Sequence, residues 1–388
     1  MSSRLRVMIS CGEPSGDLYA GALATEIQRI EPSAIVTGFG GDRLQRAGGT
    51  LVHHFSGLSV TGLTEAVRVV PRAWGIYRDL VDAARTERPD VFVAIDFPDF
   101  NFVLARAIHK LGIPVVYYIS PQLWAWRRGR LSTMKRMVDR VLVIFPFEAP
   151  FYERAGVPVS FVGHPLLELT APAQPRETFM RTHGLDPARP LVALLPGSRR
   201  NELRAILPDL VAAAGRIADR LPAAQFAIAR APHLADDSFA PLAAWPSGAT
   251  RPAMIDQATD DVLASADVAI VASGTATVQA AIHGCPMVVV YRLAPLTYRL
   301  GKPFVHVDTY AMANLVAGRR IVPELIQEAF TPEAVAAEAL RVLTDPGHAA
   351  RVRTDLAEVR ARLGAPGASR RAAEEVLAVT RASKTRRV

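Results

Sequence analysis

The sequence predicts an α/β protein made of two open, parallel-sheet domains that face each other across a cleft and are followed by C-terminal helices. Three observations carry this. Short runs of Val, Ile and Leu alternate with amphipathic helical stretches almost throughout, the pattern of strands buried on both faces and joined by helices. The same opening, a buried strand, a Gly/Ser/Pro turn and a helix, occurs twice, at Val7–Asp17 and Val192–Glu202. The length of 388 residues suits two domains of about 150 residues, each with its own core.

In chain order, the first strands are expected at Arg6–Ser10, Ile35–Gly38, Val91–Asp96, Val115–Ile119, Val141–Phe145 and Val159–Val162. Helix-like stretches lie between them at Leu18–Ile30, Trp74–Thr86 and Phe102–Lys110. This series makes an N-terminal domain of residues 1–170. Residues 171–190 carry Pro172, Pro175, Pro187 and Pro190 with polar filler and read as a linker. A second series, Leu191–Leu195, Phe226–Ala229, Val268–Ala272 and Met287–Tyr291, makes a domain of residues 191–330. Residues 331–388 read as two or three helices, able to pack back on the N-terminal domain or on a partner subunit. Ligands of such open sheets bind at the carboxyl ends of the strands.

Half of the residues are apolar and 21% are charged, which excludes a disordered, collagen-like or coiled-coil chain. The only cysteines are Cys11 and Cys285, so a disulfide framework and a paired-thiolate zinc site are excluded, and a reducing, cytoplasmic compartment is expected. No apolar run approaches the roughly 20 residues of a membrane span. The net charge of +8 suits nucleic acid, anionic lipid or phosphorylated small molecules. The basic residues are spread along the chain, however, and no nucleic-acid partner is expected. The nine histidines show no metal-ligand spacing, so neither a metal nor a cofactor is expected.

Four strand ends can carry chemistry. Gly12-Glu-Pro-Ser-Gly-Asp17 offers a tight turn and the free N–H groups of a helix start. It lacks the dinucleotide and P-loop glycine patterns. Its plain alternative is a turn capped by Ser15 or Asp17; Glu13 and Ser15 equally suit a polar ligand. Asp96 ends an apolar strand, where a carboxylate cannot point into the core without a large desolvation cost, and a general base belongs there. Asp99, directly after Pro98, reads as a helix cap. In Leu194-Leu-Pro-Gly-Ser-Arg-Arg-Asn-Glu202, Gly197 and Ser198 expose backbone donors suited to phosphate oxygens, and Arg199 can grip a diphosphate. A merely structural arginine there would oppose the helix dipole. Ser273, Gly274, Thr275 and Ala276 open another helix with a second set of donors, and Gln279, one turn beyond Thr275, is within reach of ribose hydroxyls.

Two further segments are ambiguous. Val67, Val69, Val70, Trp74 and Ile76 stand among Arg68, Arg72 and Arg78, which fits either an interfacial membrane patch or a core helix interrupted at Pro71. Trp124-Ala-Trp126 fits sugar stacking or ordinary burial.

Together with Ile95-Asp-Phe-Pro-Asp-Phe-Asn101, Ser120-Pro-Gln-Leu-Trp-Ala-Trp126 and Asn314-Leu-Val-Ala-Gly318, these motifs resemble the lipid-A-disaccharide synthase family, in register over most of the chain. The resemblance implies a GT-B glycosyltransferase with two Rossmann-like domains, inverting and metal-independent, peripheral on the cytoplasmic face of the inner membrane of Gram-negative bacteria. It implies UDP-2,3-diacylglucosamine as donor, 2,3-diacylglucosamine 1-phosphate as acceptor and an anionic membrane surface as partner, and it allows a homodimer through the C-terminal helices. By resemblance Asp96 is the base or the group that helps activate the acceptor hydroxyl, with Glu13 and Ser15 as acceptor-side or catalytic contacts. Gly197, Ser198, Arg199, Glu202, the Ser273–Ala276 helix start, Gln279 and Asn314 fall on the UDP-sugar side, and the Val67–Ile76 segment gains an acyl-chain or membrane role. One departure stands out: Gln279 occupies a position where related GT-B enzymes often carry glutamate, which implies weaker UDP binding.

The alternatives are a UDP-GlcNAc 2-epimerase, a transferase acting on another lipid-linked sugar, and a non-catalytic nucleotide-sugar or lipid-binding protein. Asp96 and Arg199 together argue against the last, since binding alone needs no base. A nicotinamide oxidoreductase lacks its glycine fingerprint here.

Overall fold

The computed structural model describes residues 4–56, 63–125, 128–231, 234–293 and 309–387, leaving aside the side chains of residues 63–69, 128, 386 and 387. The chain divides into two compact units, Met1–Pro165 with Leu363–Val388, and Leu166–Arg362.

The first unit is built on seven parallel strands: β1 (Arg6–Ser10), β2 (Ile35–Gly40), β3 (Thr50–His54), β4 (Val91–Ile95), β5 (Val115–Tyr118), β6 (Arg140–Val143) and β7 (Val159–Phe161). Their order is β3-β2-β1-β4-β5-β6-β7. The direction of winding reverses between β1 and β4, which pair in parallel with Val7 beside Val91 and Ser10 beside Ala94. The four central strands are buried runs because helices cover both faces. On one face Met8, Phe92, Ala94 and Tyr117 pack with Ile76, Leu80, Leu104 and Ile108. The helix Leu63–Glu87 runs through Pro71, so the interruption that one of the two readings of this segment placed there does not occur.

The second unit has six parallel strands: β8 (Leu191–Leu195), β9 (Gln225–Arg230), β10 (Ala253–Asp256), β11 (Val268–Ala272), β12 (Met287–Tyr291) and β13 (Glu324–Ile326). Their order is β10-β9-β8-β11-β12-β13, so winding reverses between β8 and β11. Its core joins Val192, Leu194, Val268 and Ile270 to Leu203, Ile206, Leu210 and Ala214 of the helix Arg200–Arg220, with Val335 and Ala339 of Pro332–Thr344.

Two boundaries differ from expectation. Residues 171–190 are not a free linker: the helix Arg176–Thr182 buries Phe179 and Met180, the Gln174 N–H donates to Asp261 at 3.0 Å, and Arg176 pairs with Asp267 at 2.9 Å. The proline content shapes short turns here, and the segment belongs to the second unit. The C-terminal helices divide. Pro332–Thr344 and Pro346–Arg362 stay with the second unit, whereas Ala368–Arg387 belongs to the first and packs on Pro14–Ile30. Its Arg371 Nε donates to the Val162 carbonyl at 2.8 Å, and Lys384 pairs with Asp90 at 2.9 Å.

No described helix is long and apolar enough to cross a membrane.

Candidate active site

In an open α/β sheet, the strand-end turns at the reversal point are where backbone donors and side chains are left without a neighbouring crossover. In the first unit these turns follow β1 and β4. Beyond β1, Gly12 lies so close to the Phe97 ring that a Cβ would sit 2.3 Å from it. Glu13 is the N-cap residue of Pro14–Ile30; Glu13 and Ser15 are both half-buried. Asp17 serves elsewhere. It is buried, and its carboxylate accepts the N–H groups of Gly41, Arg43 and Leu44 at 2.8, 2.9 and 3.1 Å, capping the helix Asp42–Arg46 rather than its own.

Beyond β4, Asp96 and Phe97 are both left-handed, with φ of +45° and +49°. Such a pair of non-glycine residues persists only where its surroundings hold it. The buried Asn101 does so. Its Nδ2 donates to the carbonyls of Asp96 (2.8 Å), Ile95 (3.1 Å) and Ser10 (3.2 Å), and its Oδ1 accepts the Ser10 hydroxyl at 2.7 Å. The Tyr117 hydroxyl donates to the same Asp96 carbonyl at 2.9 Å. The two turns are thereby tied together, with the Asp96 carboxyl half-buried at the edge. Asp99 pairs with Arg130 at 3.0 Å in the first turn of Pro98–Lys110.

A second carboxyl stands nearby. Glu148 is buried, accepts the Trp124 indole N–H at 3.1 Å and the Phe145 N–H at 3.2 Å, and is pushed up to about 7, by burial first and by the charge of Asp96 in addition. Burial and the same Asp96 charge raise the phenols of Tyr19 and Tyr117 above their usual range. Burial alone pushes His164 down to about 3.

In the second unit the corresponding turns follow β8 and β11. Gly197 has φ +121°, and a Cβ there would lie 2.4 Å from Glu202 Oε2. That oxygen accepts the N–H groups of Ser198 and Arg199 at 2.9 and 3.2 Å, while Arg199 Nη1 lies 3.6 Å from Oε1. Glu202 thus fills the turn from the protein side and holds the guanidinium beside it. The Tyr291 phenol, at the end of β12, is raised by burial and by the charge of Glu202, with Arg199 opposing. Beyond β11, Gly274 and Thr275 are exposed, Ser273, Ala276 and Gln279 are half-buried, and the helix Thr275–Ile282 begins.

A family model described as lipid-A-disaccharide synthetase matches residues 7–379. Lipid-A-disaccharide synthase of Geobacter sulfurreducens is 44% identical over 375 residues, covering 96% of each chain. The chain belongs to the lipid-A-disaccharide synthase family. The synthase of Koribacter versatilis is likewise 44% identical, over 97% of this chain and 98% of its own. Members of this family are glycosyltransferases, and so is this chain. Among solved structures, a UDP-GlcNAc 2-epimerase from Neisseria meningitidis bound to UDP-GlcNAc superposes with a TM-score of 0.69 at 12% identity, covering 96% of this chain and all of its own. The calicheamicin glycosyltransferase CalG4 gives 0.60 at 17%, covering 97% of this chain and 98% of its own. At those identities the likeness is one of GT-B fold.

Within this synthase fold the motif residues group as two sets, Glu13, Ser15 and Asp96 on one unit, and Gly197, Ser198, Arg199, Glu202 and Ser273–Gln279 on the other. Two expectations need correction. Asn314 is buried, and its carboxamide is consumed by its own unit: Oδ1 accepts the N–H groups of Ile321 and Val322 at 2.8 and 3.0 Å, and Nδ2 donates to the Val322 carbonyl at 3.0 Å and to Glu324 at 2.7 Å. It is a clamp on the turn before β13. Ile76 is only 4% exposed and belongs to the core, while Val70 and Trp74 of the same helix are 62% and 59% exposed, Trp74 stacking on Tyr77. The side chains of Val67 and Val69 lie outside the described residues. Sequence reasoning missed Glu148, Tyr19 and Tyr117. The signal for Glu148 was present, since it closely follows the apolar run Val141–Phe145 much as Asp96 follows β4.

Proposed function

We propose that the chain transfers 2,3-diacylglucosamine from UDP-2,3-diacylglucosamine to the 6-hydroxyl of 2,3-diacylglucosamine 1-phosphate, giving the β-1,6-linked disaccharide 1-phosphate and UDP. One observation carries this reading: the two reversal points hold complementary chemistry, a carboxylate at the end of β4 and backbone donors with an arginine at the end of β8. The acceptor oxygen attacks the anomeric carbon of the α-linked donor from the opposite face. The bond from that carbon to the diphosphate oxygen breaks, its electron pair leaves with UDP, and the hydroxyl proton passes to Asp96 as the base, or to the base that Asp96 orients. A single displacement inverts the centre without a covalent intermediate. Glu13 and Ser15 contact the acceptor. Charge growing on the diphosphate is met by Arg199 and by the helix starts at Ser198 and at Ser273–Ala276. Glu202 keeps the first of these turns set, and Gln279 faces the ribose.

Exposed Val70 and Trp74 beside Arg72 and Arg78 support an acyl-chain or membrane contact, and with it a peripheral position on an anionic surface, the cytoplasmic face of the inner membrane. Family analogy supports a homodimer through the C-terminal helices, which light scattering in detergent reads.

The test is product formation in detergent micelles with both diacylated substrates and EDTA present. The expected result is the disaccharide 1-phosphate with stoichiometric UDP, and its loss in Asp96→Asn. Absence of product from a chain that still binds UDP would overturn the substrate assignment. An unaltered rate of UDP release in Asp96→Asn would overturn the role of that residue.

A further inference from the structure

Gln279 sits on the helix Thr275–Ile282 one turn beyond Thr275, and its Nε2 lies 3.2 Å from Asp260 Oδ1. His283 Nε2 approaches the same oxygen to 2.9 Å. The His283 side chain is 7% exposed and that of Asp260 25%, so the three groups form a partly enclosed cluster beside the second half of the helix, whose C-cap is His283. A carboxylate only accepts hydrogen bonds. Two donors therefore converge on Asp260, which dictates the orientation of the amide: the NH2 of Gln279 turns toward Asp260 and the carbonyl oxygen turns away. That oxygen has no hydrogen-bond partner among the described residues. It is left as a pure acceptor on the helix that follows β11.

We propose that Asp260 is a positioning residue for nucleotide recognition, presenting the Gln279 carbonyl oxygen to the ribose hydroxyls of a uridine diphosphate. This rests on the donor-site reading above. Ribose hydroxyls need an acceptor, and either a glutamate or a correctly turned glutamine supplies one. A free glutamine amide can turn either face to a ligand; Asp260 removes that choice. The negative charge that a glutamate would carry stands here on the neighbouring Asp260. A glutamate at position 279 would instead face a second carboxylate across the present 3.2 Å contact, and the repulsion would move it from the ligand. The glutamine is thus the residue this particular neighbourhood requires, and the weaker UDP binding expected from it is offset by its fixed orientation.

The experiment is titration of the full chain with UDP and with 2′,3′-dideoxy-UDP, for wild type, Gln279→Glu, Asp260→Asn, the double variant and Gln279→Ala. Gln279→Glu is expected to weaken UDP about fivefold or more. The double variant is expected to return to within about twofold of wild type, because the amide that Asp260→Asn introduces can donate to a glutamate. Gln279→Ala is expected to lose a similar factor for UDP, and dideoxy-UDP to bind all five proteins alike. UDP binding to Gln279→Glu as tight as wild type, or strictly additive effects in the double variant, would overturn the positioning role while leaving the donor site in place. Equal loss of both nucleotides would overturn it too, since the helix start rather than one ribose contact would then be at fault. A wild-type chain that binds no UDP would overturn the donor-site reading and the proposal with it.

Discussion

Asn101 holds Asp96 in its left-handed conformation from beneath, through a 2.8 Å bond to the Asp96 carbonyl made by a carboxamide that also bridges the ends of β1 and β4. Left-handed non-glycine residues cost of order 1–3 kcal/mol each, and here two follow one another. Replacing Asn101 by Leu removes the clamp and strands the Ser10 hydroxyl. We expect stability to fall by about 2–4 kcal/mol and kcat by about tenfold or more, with UDP affinity unchanged because the proposed donor contacts lie on the other unit. Urea unfolding, steady-state kinetics and UDP titration check the three parts.

Gly12 and Phe97 occupy one small space between the turns. Gly12→Ala should lower kcat about tenfold or more, since its methyl group, 2.3 Å from the ring, can be admitted only by moving Phe97 and the adjoining Asp96. Adding Phe97→Leu should restore part of the loss. Simple addition of the two single effects in the kinetic cycle would speak against a shared space.

Asn314→Ala should act on stability rather than on a direct ligand contact. It leaves the buried N–H groups of Ile321 and Val322 without their acceptor, at about 2–4 kcal/mol, and takes from Glu324 one donor while those of Tyr310 and Ala311 remain. Arg199→Ala should do the reverse, weakening UDP about tenfold or more with little change in unfolding free energy, and Arg199→Lys should recover only part of that. Paired denaturant and UDP titrations separate the two patterns.

The pH dependence of stability has two limbs of opposite sign. Glu148 keeps its proton in the native state up to about 7 but only to 4.5 when unfolded. Its contribution is therefore complete below pH 4.5, is lost as pH rises to about 7, and is flat above, a change of order 3 kcal/mol. Glu148→Gln should abolish this decline, so that its stability relative to wild type is higher at pH 8 than at pH 5. His164, buried neutral and pushed down to about 3, acts the other way: its contribution is complete above pH 6.5 and is lost as pH falls toward 3. Urea unfolding at half-unit steps between pH 4 and 8 reads both.

Trp74→Ser with Val70→Ser should weaken sedimentation with anionic phospholipid vesicles about tenfold or more, given the apolar area these side chains expose. UDP affinity is the control, and vesicle binding that survives both substitutions would move the membrane contact elsewhere.

What could be read from residue order follows burial. The strands found in the sequence are mostly the inner ones, whose helices on both faces demand unbroken apolar runs such as Val91–Ile95 and Val268–Val271. The three that went unseen, β3, β10 and β13, are all sheet edges with half-exposed side chains, and Thr50–His54 with its two histidines carries no such run. Site turns were legible for the same reason, since a polar residue ending a buried strand is conspicuous. An amide or carboxylate in a polar motif looks alike whether it faces a ligand or backbone N–H groups many residues away; only the fold shows that Asp17, read as a cap of its own turn, meets Gly41 instead, and that Asn314, placed on the UDP-sugar side by resemblance, meets Ile321. Asp260 was invisible because its partnership with Gln279 depends on two helices crossing.

The return of Ala368–Arg387 to the first unit has a consequence for the order in which the molecule is made. The second unit is a continuous stretch of chain, and the first is split around it. On the ribosome, the inner unit has emerged whole while the outer sheet still lacks its last helix. Until then, the face of Pro14–Ile30 that the helix Ala368–Arg387 will cover stays open to water. The part synthesised first is completed last, and a nascent chain halted anywhere within the helix Ala368–Arg387 carries a finished second unit on an unfinished first one.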